Sequence, residues 1–424
     1  MAIQSIRASQ HLDSRGKPTV QLDLKSSHDI FRGPVPSGAS KGDYKAVELR
    51  DGDMSVFHGN GVTKACGNVN RVLRPKITES GLDPAHDLKK IDELMIRLDG
   101  SADKSKLGAN AILAISMAAA RAGAAARGVQ LYEFLASEGG YPTNEYVMLV
   151  PFMNVLHGGD HSGNPMAFQE FMIAPTGASS FTEAVQWNAE TYMALKSIIQ
   201  EKYGKAAFGD GGGCAAPIGH PEGALDLLVA AIAKAGHEGK IKIGIDPASR
   251  SFFNKPNVLD AAQLGKLYRQ LLDKCPIVFL EDPFGQDDWD AFSKFNQPCK
   301  VELVGDDLLA TNINRVRKAV QKNALHSMLL KVNQIGTVTA AIAAAQEAYS
   351  AGWSAFVSHR LGETTDDFIA DLTVGLRTGH LKSGAPARGE RVVKYNRLMD
   401  IEDDLHLRKI SIRYAGESFR SAHH

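Results

Sequence analysis

Six short apolar runs in the second half of the chain each end in a charged or ionisable residue, and this repeat strongly constrains the fold. The residues that end the runs are Asp246, Glu281, Asp306, Lys331, His359 and Lys382. Successive ends lie 23 to 35 positions apart. That interval holds one strand, one helix and two loops, which predicts repeated βα units and a parallel sheet. If the sheet closes into a barrel, all strands end on the face where barrel enzymes carry their active sites.

Three of these strand ends are carboxylates and predict a magnesium site. Asp246, Glu281 and Asp306 are hard oxygen donors, which Mg²⁺ prefers, and the absence of His and Cys from this trio argues against zinc. Positive charge and burial lower the pKa of a nearby lysine, so Lys331 is a candidate base. The residues therefore predict Mg²⁺-assisted removal of a proton α to a carboxylate.

The first part of the chain predicts a separate α+β domain. Residues 1–36 read as three short strands joined by turns, and residues 60–137 read as helices that include an alanine-rich segment. A Gly- and Pro-containing stretch at 139–146 predicts a linker. We expect domains at 1–140 and 141–424.

Three further segments allow alternative interpretations. The Gly- and Ser-rich segment 35–44 is typical of a surface loop, although it also suits a mobile lid over a ligand. Residues 208–217 read as a second flexible loop. Glu170 follows Gln169 within an apolar strand and is either a site residue or a carboxylate at a solvent-facing edge. His157 and His161 both suit plain loop positions.

Composition limits the classes of partner. Lys plus Arg equals Asp plus Glu at 48 each, so the formal charge gives no reason to expect nucleic acid or an acidic membrane surface. The four cysteines are scattered, as expected for free thiols in a reducing compartment. The sequence shows no signal peptide and no apolar run that reads as a membrane span. We expect a cytoplasmic protein.

Ten motifs in order along the chain resemble those of enolases (phosphopyruvate hydratases), with the texture of divergent fungal or other eukaryotic members. They are SRGKPTV, VPSGAS, KSKLGANAIL, QEFMIAPTGA, EDPFGQDDW, GDDLLATN, LLKVNQIGT, VSHRLGET, FIADLTVGL and GAPARGER. The resemblance implies an N-terminal α+β lid domain, a C-terminal (β/α) barrel that begins with an antiparallel departure, and a homodimer.

The resemblance also implies site roles. Asp246, Glu281 and Asp306 would bind the first of two Mg²⁺ ions, and Ser40 would close over the substrate and bind the second. Lys331 would be the base. The remaining residues implied at the site, for a small phosphorylated or carboxylate substrate, are Lys382 on its carboxylate, Arg360 on its phosphate, and His161, Gln169, Glu170 and His359.

Two positions depart from the enolase pattern. The family's GDEGG loop reads Gly-Asp-Gly-Gly-Gly here, so the glutamate that works with Glu170 on the leaving hydroxyl is Gly211. Leu361 stands where the family has a phosphate-binding serine. His157 and Asp160 also occupy unusual positions. Since general-acid assistance contributes about 10²–10⁴ in rate, the loss of this glutamate is expected to impair dehydration.

Three functions remain open from the sequence. The first is dehydration of 2-phosphoglycerate to phosphoenolpyruvate. The second is that of an enolase paralogue with a changed substrate or reaction, favoured by Gly211 and Leu361. The third is a non-catalytic, enolase-like binding protein.

Overall fold

The computed structural model describes residues 3–27, 29–38, 44–159, 162–204, 207–252, 259–297 and 299–424. Its first part is an antiparallel sheet packed against helices, as predicted. The strands are β1 (Ser5–Leu12), β2 (Pro18–Lys25) and β3 (Ile30–Arg32), in that order in the sheet. The helices are α1 (Thr63–Asn68), α2 (Arg74–Ser80), α3 (Pro84–Asp99), α4 (Ala109–Arg127) and α5 (Leu131–Glu138), with a π-helical turn at Val69–Leu73.

The second part contains the predicted barrel. Its strands, in chain order, are β4 (Glu145–Met148), β5 (Val150–His157), β6 (Glu170–Ala174), β7 (Ala207–Phe208), β8 (Cys214–Ala215), β9 (Lys242–Asp246), β10 (Ile277–Glu281), β11 (Glu302–Gly305), β12 (Ser327–Leu330), β13 (Ser354–Ser358), β14 (His380–Lys382) and β15 (Ser411–Tyr414). Strands β5, β6 and β9–β14 close into an eight-stranded barrel through the pairing of β14 with β5. Strand β6 runs antiparallel to both β5 and β9, which confirms the expected antiparallel departure.

Helices follow the barrel strands, and the hairpin of β7 and β8 extends the sheet beside β5. Strands β4 and β15 form a separate parallel pair. The helices are α6 (Phe181–Tyr203), α7 (Pro221–Lys234), α8 (Ala261–Lys274), α9 (Trp289–Asn296), α10 (Ile313–Gln321), α11 (Val332–Ile335), α12 (Val338–Ser350), α13 (Phe368–Gly375) and α14 (Gly389–Leu407).

The alternation of side chains along each strand places the charged strand ends inside the barrel. Phe152, Phe279 and Phe356 fill the interior, with ring centroids 4.9 to 5.4 Å apart. Residues two apart in a strand share a face, so Glu281 lies on the same face as Phe279, one layer above it. In three other strands a core residue likewise precedes a cavity residue by two positions. These pairs are Gly244 and Asp246, Val304 and Asp306, and Leu329 and Lys331.

A buried ion pair lies below the phenylalanine layer. His380 stacks on Phe356, with centroids 4.2 Å apart, and its Nε2 lies 3.1 Å from Oε2 of Glu302. Its Nδ1 lies 2.7 Å from the carbonyl oxygen of Thr378. Because both ring nitrogens face acceptors, the contacts are those of an imidazolium and a carboxylate. Burial alone would raise the pKa of Glu302, but His380 lowers it below its usual range.

Replacing Glu302 with glutamine is expected to lower the free energy of unfolding by about 3–5 kcal/mol, since it leaves the buried His380 without its charged partner. Urea denaturation measures this change. The matched control is Glu347→Gln, which breaks an exposed pair with Arg317 and should cost no more than about 1 kcal/mol. Equal losses in the two variants would contradict a charged pair at the barrel floor.

Helix α4 corrects one sequence expectation. By length and composition its residues, Ala109–Arg127, are sufficient to cross a membrane, although the sequence was expected to contain no such run. However, 83% of its apolar window is buried inside the protein, which is the environment of a core helix. The four cysteines are free, as expected.

Candidate active site

Lys382 lies at the centre of a buried group of carboxylates. Its Nζ donates to Oε2 of Glu170 (2.9 Å), Oδ2 of Asp246 (3.2 Å) and Oε2 of Glu281 (2.6 Å). Burial alone would lower the pKa of Lys382, but the three carboxylates hold it well above its usual range. Glu170 is only 6% exposed, so the alternative of a solvent-facing edge position is wrong for this residue.

Lys331 lies on the neighbouring side of the same cavity. It follows β12, and its Nζ donates to Oδ2 of Asp306 at 2.5 Å. Oδ1 of Asp306 accepts from Nε2 of Gln334 at 2.9 Å. Although burial would raise the pKa of Asp306, Lys331 and then Lys45 lower it. The proposed base is therefore in contact with one of the predicted metal ligands.

The donor set suits a divalent cation. Four carboxyl groups, those of Glu170, Asp246, Glu281 and Asp306, share two ammonium groups, so negative charge is in excess. Burial and then the Asp246 carboxylate raise the pKa of Glu281 well above its usual range. Oε1 of Glu281 is buried and has no hydrogen-bond partner among the described residues. A bound Mg²⁺ would relieve this crowding, and Asp246, Glu281 and Asp306 are the residues suited to hold it.

A neighbouring aspartate pair was not among the residues predicted from the sequence. Carboxylate oxygens of Asp282, Asp306 and Asp307 lie within 4.8 Å of one another. Asp282 accepts hydrogen bonds from the backbone N–H groups of Asp306 (3.1 Å) and Asp307 (2.7 Å), and Asp307 pairs with Lys45 at 2.8 Å. These contacts fix the loop that carries Asp306. The adjacent acidic pairs Glu281-Asp282 and Asp306-Asp307 were the available signal.

The predicted substrate residues that the structure describes line one cavity of about 460 Å³. Its walls include Gln169, Glu170, Lys331, His359, Arg360 and Lys382, and Leu361 also lines it. Arg360 lines this cavity. Its Nε is buried and makes no hydrogen bond to any described residue, so the outer nitrogens of the guanidinium are the donors that would meet an anionic ligand. The structure therefore brings the predicted residues together around a space that can hold a small molecule.

Residues 35–38, at the start of the Gly- and Ser-rich segment 35–44, are docked against the protein rather than exposed. Ser37 is fully buried and forms an antiparallel bridge with Gly362. A Cβ atom at Gly38 would meet the guanidinium of Arg360, so a larger residue there would displace this side chain. The interpretation of residues 35–38 as an ordinary surface loop is wrong. Ser40, like His161 and Asp160, lies outside the described residues.

His157 occupies the space beside Gly211. It is the last residue of β5 and fully buried, so it is not a plain loop residue. Its strand partner is Glu170, which in turn pairs with Asp246. A Cβ atom at Gly211 would lie 2.9 Å from Nε2 of His157, and one at Gly213 would lie 2.7 Å from its Cδ2. The glycine loop therefore packs directly against an imidazole.

Comparison with protein families accounts for both parts of the chain. Residues 3–135 match the family described as the enolase N-terminal domain, and residues 145–423 match the enolase C-terminal TIM barrel domain. The chain belongs to the enolase family. Its scaffold is that of an enolase-type lyase, with the strand-end residues gathered at the carboxyl end of the barrel. Enolase sites pair a lysine or histidine base with Mg²⁺, and the residues around this cavity offer both a lysine and a carboxylate set.

Proposed function

We propose that this enolase-family protein removes a proton α to a substrate carboxylate in a Mg²⁺-dependent reaction. Dehydration of 2-phosphoglycerate to phosphoenolpyruvate is the first candidate activity. The observation that carries the proposal is that Lys331, Lys382, Asp246 and Asp306 line one cavity, while the buried Glu281 pairs with Lys382. From the family resemblance alone, we also propose a cytoplasmic homodimer.

Lys331 is the proposed base, because its Nζ is held at the cavity by Asp306. In its neutral amine form, Nζ of Lys331 would accept the proton from the substrate carbon next to the carboxylate and would become an ammonium. Mg²⁺, when held by the carboxylates, would stabilise the negative charge that develops on the substrate carboxylate oxygens. The three N–H donors of Lys382 already face three carboxylates, so its proposed contact with the substrate requires one of them to be exchanged.

The phosphate side of the proposed site differs from the family pattern. Arg360 keeps a guanidinium with donor capacity at the cavity wall. Leu361 adds an apolar side chain there and cannot supply the hydroxyl that the family offers. A lost hydrogen bond to a charged group costs about 1.5–3 kcal/mol, which would weaken binding of a phosphorylated substrate.

A second candidate function is favoured by the contact between His157 and Gly211. The imidazole fills the space into which a side chain at 211 would extend, so the loop is built without an acid at this position. Proton abstraction requires no such acid, whereas the loss of hydroxide does. An enolase paralogue that acts on a carboxylate with a better leaving group, or that performs no elimination, suits this arrangement.

Two assays separate these functions. Phosphoenolpyruvate formation from 2-phosphoglycerate with Mg²⁺ tests the first candidate, and near-normal turnover would exclude the second. If turnover is negligible, exchange of the C2 proton in deuterated water would show an active base without its acid. Absence of both turnover and exchange, together with absence of Mg²⁺ binding, would favour the non-catalytic binding protein.

Magnesium is expected to stabilise the fold by about 2.7 kcal/mol at a concentration 100 times its dissociation constant. Thermal unfolding with Mg²⁺ and with excess EDTA measures this effect. Glu281→Gln should remove most of the stabilisation, since it takes one carboxylate from the predicted ligand set. The matched control is Asp290→Asn, at an exposed residue of α9, which should retain it. Equal stabilisation in both variants would place the ion elsewhere.

A further inference from the structure

The guanidinium of Arg391 lies behind the candidate site and contacts three successive residues after β13. Arg391 belongs to α14 and is 0% exposed. Its Nη1 donates to Nδ1 of His359 (2.6 Å) and to the carbonyl oxygen of Arg360 (2.7 Å). Its Nη2 donates to the carbonyl oxygens of Leu361 (2.7 Å) and of Asp210 in the second loop (3.2 Å).

This contact determines which nitrogen of His359 carries the proton. A guanidinium is always charged and has donors only. Nδ1 of His359 must therefore accept, which leaves the ring neutral with its hydrogen on Nε2. Burial and the surrounding charges act in the same direction. Burial is the largest cause that holds the pKa of His359 well below its usual range, and Arg391 is the next. The further positive charges that lower it are those of Lys382, Lys331 and Lys394.

The other ring nitrogen is available to a ligand. His359 lines the cavity that contains Lys331. None of the described residues hydrogen-bonds its Nε2, whereas its Nδ1 is fixed from behind. A neutral imidazole with Nε2–H can donate to a substrate oxygen but cannot remove a proton through that nitrogen.

We propose that Arg391 is a positioning residue that holds His359 as a neutral donor through Nε2 and ties the second loop to residues 359–361. The relevance of Arg391 to catalysis rests on the proposed function, whereas the inferred protonation of His359 does not depend on that function. Because one guanidinium contacts both Asp210 and the segment that carries Arg360, the loop and the anion-binding side of the cavity are held in one arrangement.

The test is ¹⁵N NMR of the full-length protein labelled at histidine, with the ring signals of His359 assigned by their loss in His359→Gln. In the unsubstituted protein at neutral pH we expect a neutral ring protonated at Nε2. A ring protonated at Nδ1, or a charged ring, would overturn the proposal. This measurement needs no variant of Arg391, so it does not depend on whether such a variant folds.

Two substitutions extend the test. Arg391→Met removes the donor and the charge, and we expect the pKa of His359 to rise and the ring to populate both tautomers. Arg391→Lys keeps a donor and should keep the Nε2–H form. Arg397→Lys is the control, since Arg397 lies on the same helix and pairs with Asp371. In this control variant, the ring signals of His359 should match those of the unsubstituted protein.

Activity provides a separate readout. Arg391→Lys, which cannot reach all four acceptors at once, should lower kcat for C2 proton exchange by about tenfold or more with a smaller change in KM, because only the alignment of bound groups changes. An unchanged kcat in a folded Arg391→Lys variant would overturn the positioning role. If the unsubstituted protein shows no exchange, the proposed function fails, while the NMR result still decides the state of His359.

Discussion

Substituting Lys331 with arginine is expected to slow proton exchange at C2 of 2-phosphoglycerate severely while leaving the fold intact. Arginine keeps a positive charge beside Asp306, whose contact with Nζ of Lys331 is 2.5 Å long, so the buried carboxylate retains a partner. A guanidinium remains protonated at any working pH and cannot accept the substrate proton. The rate should fall by about 10²–10⁴, measured by NMR in deuterated water.

Lys331→Ala separates the two roles of this lysine. It removes the base and one of the partners of Asp306, so it should lose exchange and also stability, by about 1–3 kcal/mol for a lost hydrogen-bond partner, because Gln334 still donates to this carboxylate. The control is Lys322→Arg, whose exposed pair with Asp290 lies away from the cavity. Exchange at an unchanged rate in Lys331→Arg would contradict the assignment and would move the base to another group.

The positions of the strand-end residues follow from the sequence because two local rules suffice. The interval of 23 to 35 residues predicts βα units, and the alternation of side chains directs every second residue inward. These rules are enough to place Glu281 and Asp306 at the same end of the barrel from the order of residues alone. The interval also predicts a helix between successive strands, and α12 (Val338–Ser350) lies between β12 and β13.

Contacts between distant parts of the chain could not be predicted in the same way. Arg391 reaches His359 across 32 residues, and Lys382 reaches Glu170 across 212. No local pattern in the sequence predicts either contact, because both depend on closure of the barrel. Family resemblance suggested that Lys382 holds the substrate carboxylate, whereas the structure shows its ammonium already engaged with three protein carboxylates.

The sequence alone shows that the second loop lacks its glutamate. It does not show that His157 packs against Gly211 at that position. Gly211 and His157 are 54 positions apart, and only the hairpin of β7 and β8 beside β5 brings them into contact. We therefore expect the unusual histidine and the unusual glycine to be energetically coupled. Such a coupling would change the design of any variant that is meant to restore the acid.

Gly211→Glu alone is expected to destabilise the protein without restoring dehydration. We expect the glutamate to be accommodated only together with His157→Asn. The Cβ atom of Gly211→Glu would lie 2.9 Å from Nε2 and 3.0 Å from Cε1 of a fully buried ring, so one of the two groups must move. Overpacking of this kind costs about 1–3 kcal/mol. Asparagine at 157 removes the ring and opens the space. Gly219→Glu, whose added Cβ would have its nearest neighbour 4.0 Å away, is the matched control and should change stability by no more than about 0.5 kcal/mol.

Dehydration then distinguishes the two candidate functions. If the missing acid alone limits the reaction, the paired Gly211→Glu and His157→Asn variant should form phosphoenolpyruvate about 10²–10⁴ times faster than the unsubstituted protein, and Leu361→Ser should lower KM further. A double-mutant cycle on unfolding should show a coupling of about 0.5–3 kcal/mol between the two positions. A stable pair without faster dehydration would show that the cavity is shaped for another carboxylate. A stable and active single variant Gly211→Glu would show instead that the imidazole moves freely and that the exchange is not coupled.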